Sequence, residues 1–181
     1  YGPDGGVFLT DWTDLGECHD RDGIHRRSGR IYKITYGKPS RLAAFDLQDL
    51  STSELVDLQN HKNDWFVRHA RRILQERTVA DGDLTTAVRL LENNFRKSVD
   101  TTRKLRFLWC LHAIGQSGAM LEDLLHDSSE HLRVWGVRLL FESDLPKKDI
   151  AKELTDLALR ETSGLVRLHI AAGMAKVPNA L

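Results

Sequence analysis

The stretch "KLRFLWCLHAIG" (104–115) sets Leu105, Leu108, Leu111 and Ile114 three residues apart, the spacing of one helix face. It opens on an apolar residue followed by arginine. That opening recurs in "FVRHARRIL" (66–74), "HLRVWGVRLL" (131–140) and "LVRLHIAAGM" (165–174). The shared arginines are Arg68, Arg106, Arg133 and Arg167, separated by 38, 27 and 34 residues. An amphipathic segment precedes each copy: "SELVDLQN" (53–60), "LTTAVRLLENN" (84–94), "AMLEDLLHD" (119–127) and "KKDIAKELTDLALRE" (147–161). Helix pairs recurring at such intervals predict a mainly α chain, an α-solenoid of about four helix pairs over 52–181. The predicted core is Val67, Ala70, Ile73, Leu74, Leu105, Leu108, Leu111, Ile114, Val134, Val137, Leu140, Leu165, Leu168 and Ala171. Ala70, Ala113, Gly136 and Ala172 are small enough to let neighbouring helices approach.

An acid stands six residues before the shared arginine in three copies: Asp100 before Arg106, Asp127 before Arg133 and Glu161 before Arg167. The first copy has Lys62 there, with Asp64 close by. An acid at the turn between two helices can accept hydrogen bonds from the free amides that start the second helix. It can also pair with an arginine of a neighbouring repeat, so that Arg68, Asp100, Arg106, Asp127, Arg133, Glu161 and Arg167 form a ladder of charges. This spacing resembles the HEAT-repeat pattern over roughly residues 52–177.

Residues 1–37 read differently. "GGVFLTDW" alternates Val7, Leu9 and Asp11 against Phe8, Thr10 and Trp12, and "GRIYKITYG" alternates Ile31, Lys33 and Thr35 against Tyr32, Ile34 and Tyr36. Period-two alternation rich in aromatic and β-branched residues predicts two strands. "GPDGG" ahead of the first carries turn chemistry. A lone two-stranded hairpin is marginal in water, so these strands must lean on something else. Residues 38–51 form a connector, broken from the strand by Pro39 and carrying Leu42, Phe45, Leu47 and Leu50 for packing.

Composition narrows the functions. A chain of 181 residues with 41% hydrophobic and 29% charged residues can fold around a core. Lys+Arg and Asp+Glu stand at 26 each, so no net field favours a polyanion, and nucleic acid gains no support. No apolar run reaches the length of a membrane span, and no signal peptide is visible. The two cysteines, Cys18 and Cys110, lie in segments of unlike character and do not imply a disulfide.

The segment between the strands is rich in ligand types. Asp11, Asp14, Glu17, His19, Asp20, Asp22 and His25 offer oxygens and imidazoles, and Asp14, Glu17, His19, Asp20 and Asp22 are the candidate metal ligands. Calcium asks for six to eight oxygens and zinc for a tetrahedral His/Cys set. No standard spacing is met, and the acids can equally pair with Arg21, Arg26, Arg27 and Arg30. Cys18 beside His19 is either a reactive thiol or an inert one. Covalent haem would need a second thiol at position 15, which is leucine. On the helices, Trp65 with Arg71 and Arg72 in "RHARR" is the candidate partner surface. Trp109 and Trp135 recur near the shared arginine and would be contact anchors if exposed along one side. The helical histidines show no metal-binding spacing.

Together, "GPDGGVFLTDW", "GECHDRDGIHRRSGRIYKI" and "HKNDWFVRHARRILQER" resemble the planctomycete-type membrane-bound dehydrogenase family. Its members join a β-propeller, similar to sorbosone and quinoprotein glucose dehydrogenases, to HEAT repeats and often a c-type cytochrome domain. The resemblance implies that 1–37 are the last strands of a propeller and that the parent protein is exported to the periplasm or cell envelope. It also implies haem c, and a quinone or Ca²⁺, elsewhere in that parent, with no cofactor in this segment. The start at Tyr1 and the uncapped last copy, ending "AKVPNAL", fit a piece of a longer protein. The expected function is a HEAT-repeat scaffold that docks a protein partner or neighbouring domains of the same chain, not catalytic by itself. The alternative is a HEAT-like enzyme such as an alkylpurine DNA glycosylase or a pigment lyase.

Overall fold

The computed structural model describes residues 1–11, 29–38, 42–80, 84–142 and 147–175. It is mainly helical, with one small antiparallel sheet of two strands, β1 (Val7–Thr10) and β2 (Ile31–Ile34). The helices are α1 (Thr52–Asp57), α2 (Asp64–Val79), α3 (Thr85–Lys97), α4 (Thr101–Ala113), α5 (Gly118–Leu124), α6 (Glu130–Glu142), α7 (Lys147–Arg160) and α8 (Gly164–Met174). Three-residue 3-10 turns, Leu47–Asp49 and Leu58–Asn60, precede and follow α1.

Local chemistry explains where the helices begin and end. Ser51 and Glu54 form a reciprocal capping box at α1: the Glu54 amide donates to Ser51 Oγ (3.3 Å), and the Ser51 amide donates to Glu54 Oε2 (2.8 Å). Asn63 caps α2 by accepting from the Trp65 amide (3.0 Å), and Asp100 caps α4 by accepting from Arg103 (2.8 Å). Ser163 caps α8, accepting from Val166 (3.4 Å). α4 stops at Gly115, whose φ of +73° suits a residue without Cβ. The Gly115 and Gln116 amides fold back onto the carbonyls of His112 (2.9 Å) and Leu111 (2.8 Å), closing the last turn.

Packing follows chain order: α1 lies on α2 and α3, α3 on α4, α5 on α6, and α7 on α8. The second members of the pairs also touch in sequence, α2 to α4, α4 to α6 and α6 to α8. One buried cluster runs through them, including Leu55, Leu74, Leu91, Leu108, Leu111, Leu121, Val137, Leu154 and Val166. At Gly136, a Cβ would sit 3.0 Å from the Leu124 side chain and 3.2 Å from the Leu121 carbonyl, so α5 and α6 meet closely there. At Gly173, a Cβ would fall inside the ring of Phe141, so α8 packs its backbone against α6.

Most of the expected core is buried, with two corrections. Leu105 is only half-buried. On α8, Leu165 and Leu168 are exposed (39% and 63%), as is Ala171, while Val166, Ile170 and Gly173 face inward. The reason is composition: in "GLVRLHIAAGM" only Arg167 and His169 are polar, so the pattern cannot select which apolar stripe turns inward. Burial here is settled by where α6 and α7 sit.

The strands pair Val7 with Ile34, Phe8 with Lys33, Leu9 with Tyr32 and Thr10 with Ile31. All eight are exposed. Val7, Leu9, Tyr32 and Ile34 therefore share one apolar face open to solvent. What ties the hairpin down is the turn before it. Asn63 Nδ2 donates to the carbonyls of Gly2 (3.1 Å) and Pro3 (3.0 Å), and the Arg68 guanidinium lies over the Tyr1 ring at 5.3 Å. Asp4 accepts from the Gly6 amide (3.0 Å) and pairs with Lys33 across the hairpin. The connector is pinned by Arg77 at the end of α2, which donates to the Gln48 (2.9 Å) and Leu50 (2.7 Å) carbonyls.

Candidate interaction surface

The second helices of successive pairs carry arginines of two kinds. The first kind is neutralised within the chain. Arg133 on α6 grips Glu161 with two hydrogen bonds, Nε to Oε2 (2.7 Å) and NH2 to Oε1 (2.9 Å). Its remaining nitrogen donates to the Asp127 (2.8 Å) and Ser128 (3.1 Å) carbonyls. Glu161 is 3% exposed in its side chain, and the Arg133 hydrogen bonds hold its carboxyl below the usual glutamate range against the opposing pull of burial. The Arg133 guanidinium is correspondingly held more firmly protonated, chiefly by the same hydrogen bonds.

Arg106 on α4 donates to the His61 carbonyl (3.0 Å) and lies 3.4 Å from Asp64 at the start of α2. Lys104 on the same helix reaches Asp127 at 3.9 Å. Arg68 and Arg72 pair along α2 with Asp64 (3.3 Å) and Glu76 (3.2 Å). Asp100 serves as a helix cap and has no ion pair among the described residues, and exposed Arg167 has none either. So Arg133 and Glu161 meet across successive pairs, while Arg106 reaches Asp64 rather than an acid six residues before a shared arginine.

The second kind has no carboxylate. Arg71 on α2 lies over the Trp109 ring of α4, its Cζ 5.5 Å from the ring centre. Trp109 meets Trp135 of α6 edge to face, with centres 4.9 Å apart and planes at 68°. Arg138, one helical turn after Trp135, caps that ring at 4.1 Å. Arg71, Trp109 and Trp135 are half-buried and Arg138 is exposed. A cation over an indole is attracted by the negative ring face, and desolvation strengthens the contact. Neither Arg71 nor Arg138 has an ion pair among the described residues. Two donors of this stripe, Arg71 Nε and Trp109 Nε1, are buried with no hydrogen-bond partner. Burial also makes protonation of Arg71 harder than usual. Beyond Arg138 the stripe runs into a cleft of about 150 Å³ between α6 and α8, bordered by Arg138, Glu142 and His169.

The residues expected to form a partner surface are thus separated. Trp65 stacks on His69 (3.9 Å, 23°) and packs with Phe45 and Phe66, anchoring the connector. Arg72 is paired with Glu76. Arg71 alone joins the stripe, with Trp109 and Trp135. Arg138 was not read from the sequence, although its place three residues after Trp135 on one helix face signals it. Next to Trp109, the Cys110 thiol is fully buried and pushed up to about 12 by that burial, with Arg71 opposing.

The candidate metal ligands Asp14, Glu17, His19, Asp20 and Asp22, together with Cys18, lie outside the described residues. Among the described residues, no group of three or more His, Cys, Asp or Glu could hold a metal ion. No described helix is long and apolar enough to cross a membrane. No family model, curated protein or solved structure matches the chain.

Proposed function

We propose that this chain is an interaction scaffold, a HEAT-like array of helix pairs that binds a protein partner or a neighbouring domain along its second helices. The observation that carries the reading is the stripe Arg71–Trp109–Trp135–Arg138, which crosses three successive second helices with neither cation in an ion pair among the described residues. Tryptophan and arginine are the side chains that dominate binding energy at protein interfaces, because they combine large apolar area with directed donors. The rungs Arg106–Asp64 and Arg133–Glu161 support the HEAT-like part, since each ties one helix pair to the next.

The parent is proposed to be a larger exported, dehydrogenase-like protein, on the resemblance described above. In that setting the open face of Val7, Leu9, Tyr32 and Ile34 is the surface that further propeller strands would cover. Any haem, quinone or calcium would belong to other parts of the parent.

Selection from a random peptide library on the immobilised chain tests the scaffold. Ligands that lose binding to a Trp135→Ala, Arg138→Ala variant support it. A selection that yields no stripe-dependent ligand counts against it. Reading the gene on both sides tests the parent: propeller blades upstream and a C-x-x-C-H motif downstream are expected, whereas a start codon at Tyr1 and a stop after Leu181 overturn that part.

A further inference from the structure

We infer that the stripe takes an acidic, extended segment of a protein partner, with one carboxylate on Arg71 and a second on Arg138. This rests on the scaffold reading and adds the partner's chemistry. Arg68, Arg72, Arg106 and Arg133 each reach a carboxylate, while Arg71 and Arg138 lie over indole faces with no ion pair among the described residues. A guanidinium resting on an aromatic face rather than on a carboxylate retains donors for an anion.

Arg71 Nε and Trp109 Nε1 are buried donors with no partner, so the contact to an incoming carboxylate falls to the terminal nitrogens of the Arg71 guanidinium. The groups facing Arg71 include Trp109, Arg106, Asp64 and the neutral Cys110 thiol. Of these only Asp64 is anionic, and it already serves Arg68 and Arg106.

Geometry sets the spacing. The three ring contacts limit the separation of the two guanidiniums to under about 15 Å, which an extended strand at ~3.3 Å per residue covers in about four or five residues. Between the two charges, the apolar ring surfaces of Trp109 and Trp135 favour an apolar or aromatic side chain. At the Arg138 end the cleft is bordered by Glu142 and His169, so the carboxylate sits on the Trp135 side of Arg138, away from Glu142.

The test uses the whole chain and a fluorescently labelled twelve-residue peptide carrying two glutamates four residues apart around a central leucine. Its controls are the same peptide with glutamines and a single-stranded oligonucleotide. Saturable anisotropy is expected with the glutamate peptide alone, weakening as salt rises. Arg71→Gln and Arg138→Gln should each weaken it about ten-fold, and Trp109→Phe, which reduces the ring surface under Arg71, should weaken it less. Arg138 is exposed, so its variant folds even if the Arg71 variant does not. Absence of saturable binding, equal binding of the glutamine peptide, tighter binding of the oligonucleotide, or an unchanged Arg138→Gln affinity each overturns the inference. If the library instead yields stripe-dependent ligands that are basic or uncharged, the scaffold reading stands and the acidic partner fails.

Discussion

The junction between α6 and α8 and the junction between α2 and α4 are each crossed by an arginine, and the two are used in opposite ways. At the first, Arg133 meets Glu161 through two hydrogen bonds with the carboxylate buried. At the second, Arg71 meets only the face of Trp109 and leaves its Nε unpaired. A buried charge without its partner is expensive, so the first arginine belongs to the fold. The second has no ion pair among the described residues. The helical pattern around both is alike; the difference lies in which arginine the acid reaches, since Asp64 meets Arg68 and Arg106 and not Arg71.

Breaking the buried pair should have the largest effect. Arg133→Ala leaves the Glu161 carboxylate without its two hydrogen bonds, and is expected to lower stability by about 1.5–3 kcal/mol in urea unfolding. The same pair sets a pH dependence. Because the Glu161 carboxyl is lowered in the folded state, its contribution is present above the ordinary glutamate range, about pH 4.3. It fades as the pH falls through the lower folded value. Urea titrations between pH 7 and 3 should show this loss in the native chain and a shallower one in Arg133→Ala. An equal slope in both would remove Glu161 as its source.

Asn63 comes next, since it caps α2 and also holds the Gly2 and Pro3 carbonyls. Asn63→Ala should cost about 1 kcal/mol for the cap. It should also speed hydrogen exchange at the Gly5 and Gly6 amides. Exchange unchanged there would mean that the hairpin is anchored without Asn63.

Arg71 should respond more weakly. Arg71→Gln is expected to shift stability by about 1 kcal/mol or less, the worth of a cation–indole contact, since it leaves no carboxylate unpaired. A loss comparable to that of Arg133→Ala would show that Arg71 is structural and erase the contrast between the two junctions. Beside it, the Cys110 thiol, raised to about 12 and buried, should resist thiol reagents at pH 8 until the chain unfolds. Rapid labelling of the native chain at Cys110 would show that this junction opens readily.

Legibility differed sharply between regions. The acid expected at the inter-helix turn caps α4 as Asp100, whereas α2 and α8 are capped by Asn63 and Ser163, which the acid pattern did not single out. The alternation of 7–10 and 31–34 likewise predicted strands that form. Legibility failed on α8, where apolar residues on every side hid which stripe packs inward. It failed also within "RHARR", where three arginines within five residues look alike in sequence. Helical rotation sends Arg68 toward Asp64 and Tyr1, Arg72 toward Glu76, and Arg71 toward Trp109.

By itself, then, the sequence determined the elements, because periodicity and capping are local properties of a few consecutive residues. It determined the balance of charge, and with it the absence of a global field. Only the tertiary structure decided which charges cancel, because cancellation depends on side chains from different helices meeting within a few ångströms. Arg133 and Glu161 are 28 residues apart in the chain and meet at 2.7 Å. Arg71, with acids nearby in sequence, packs on an aromatic ring from the next helix pair.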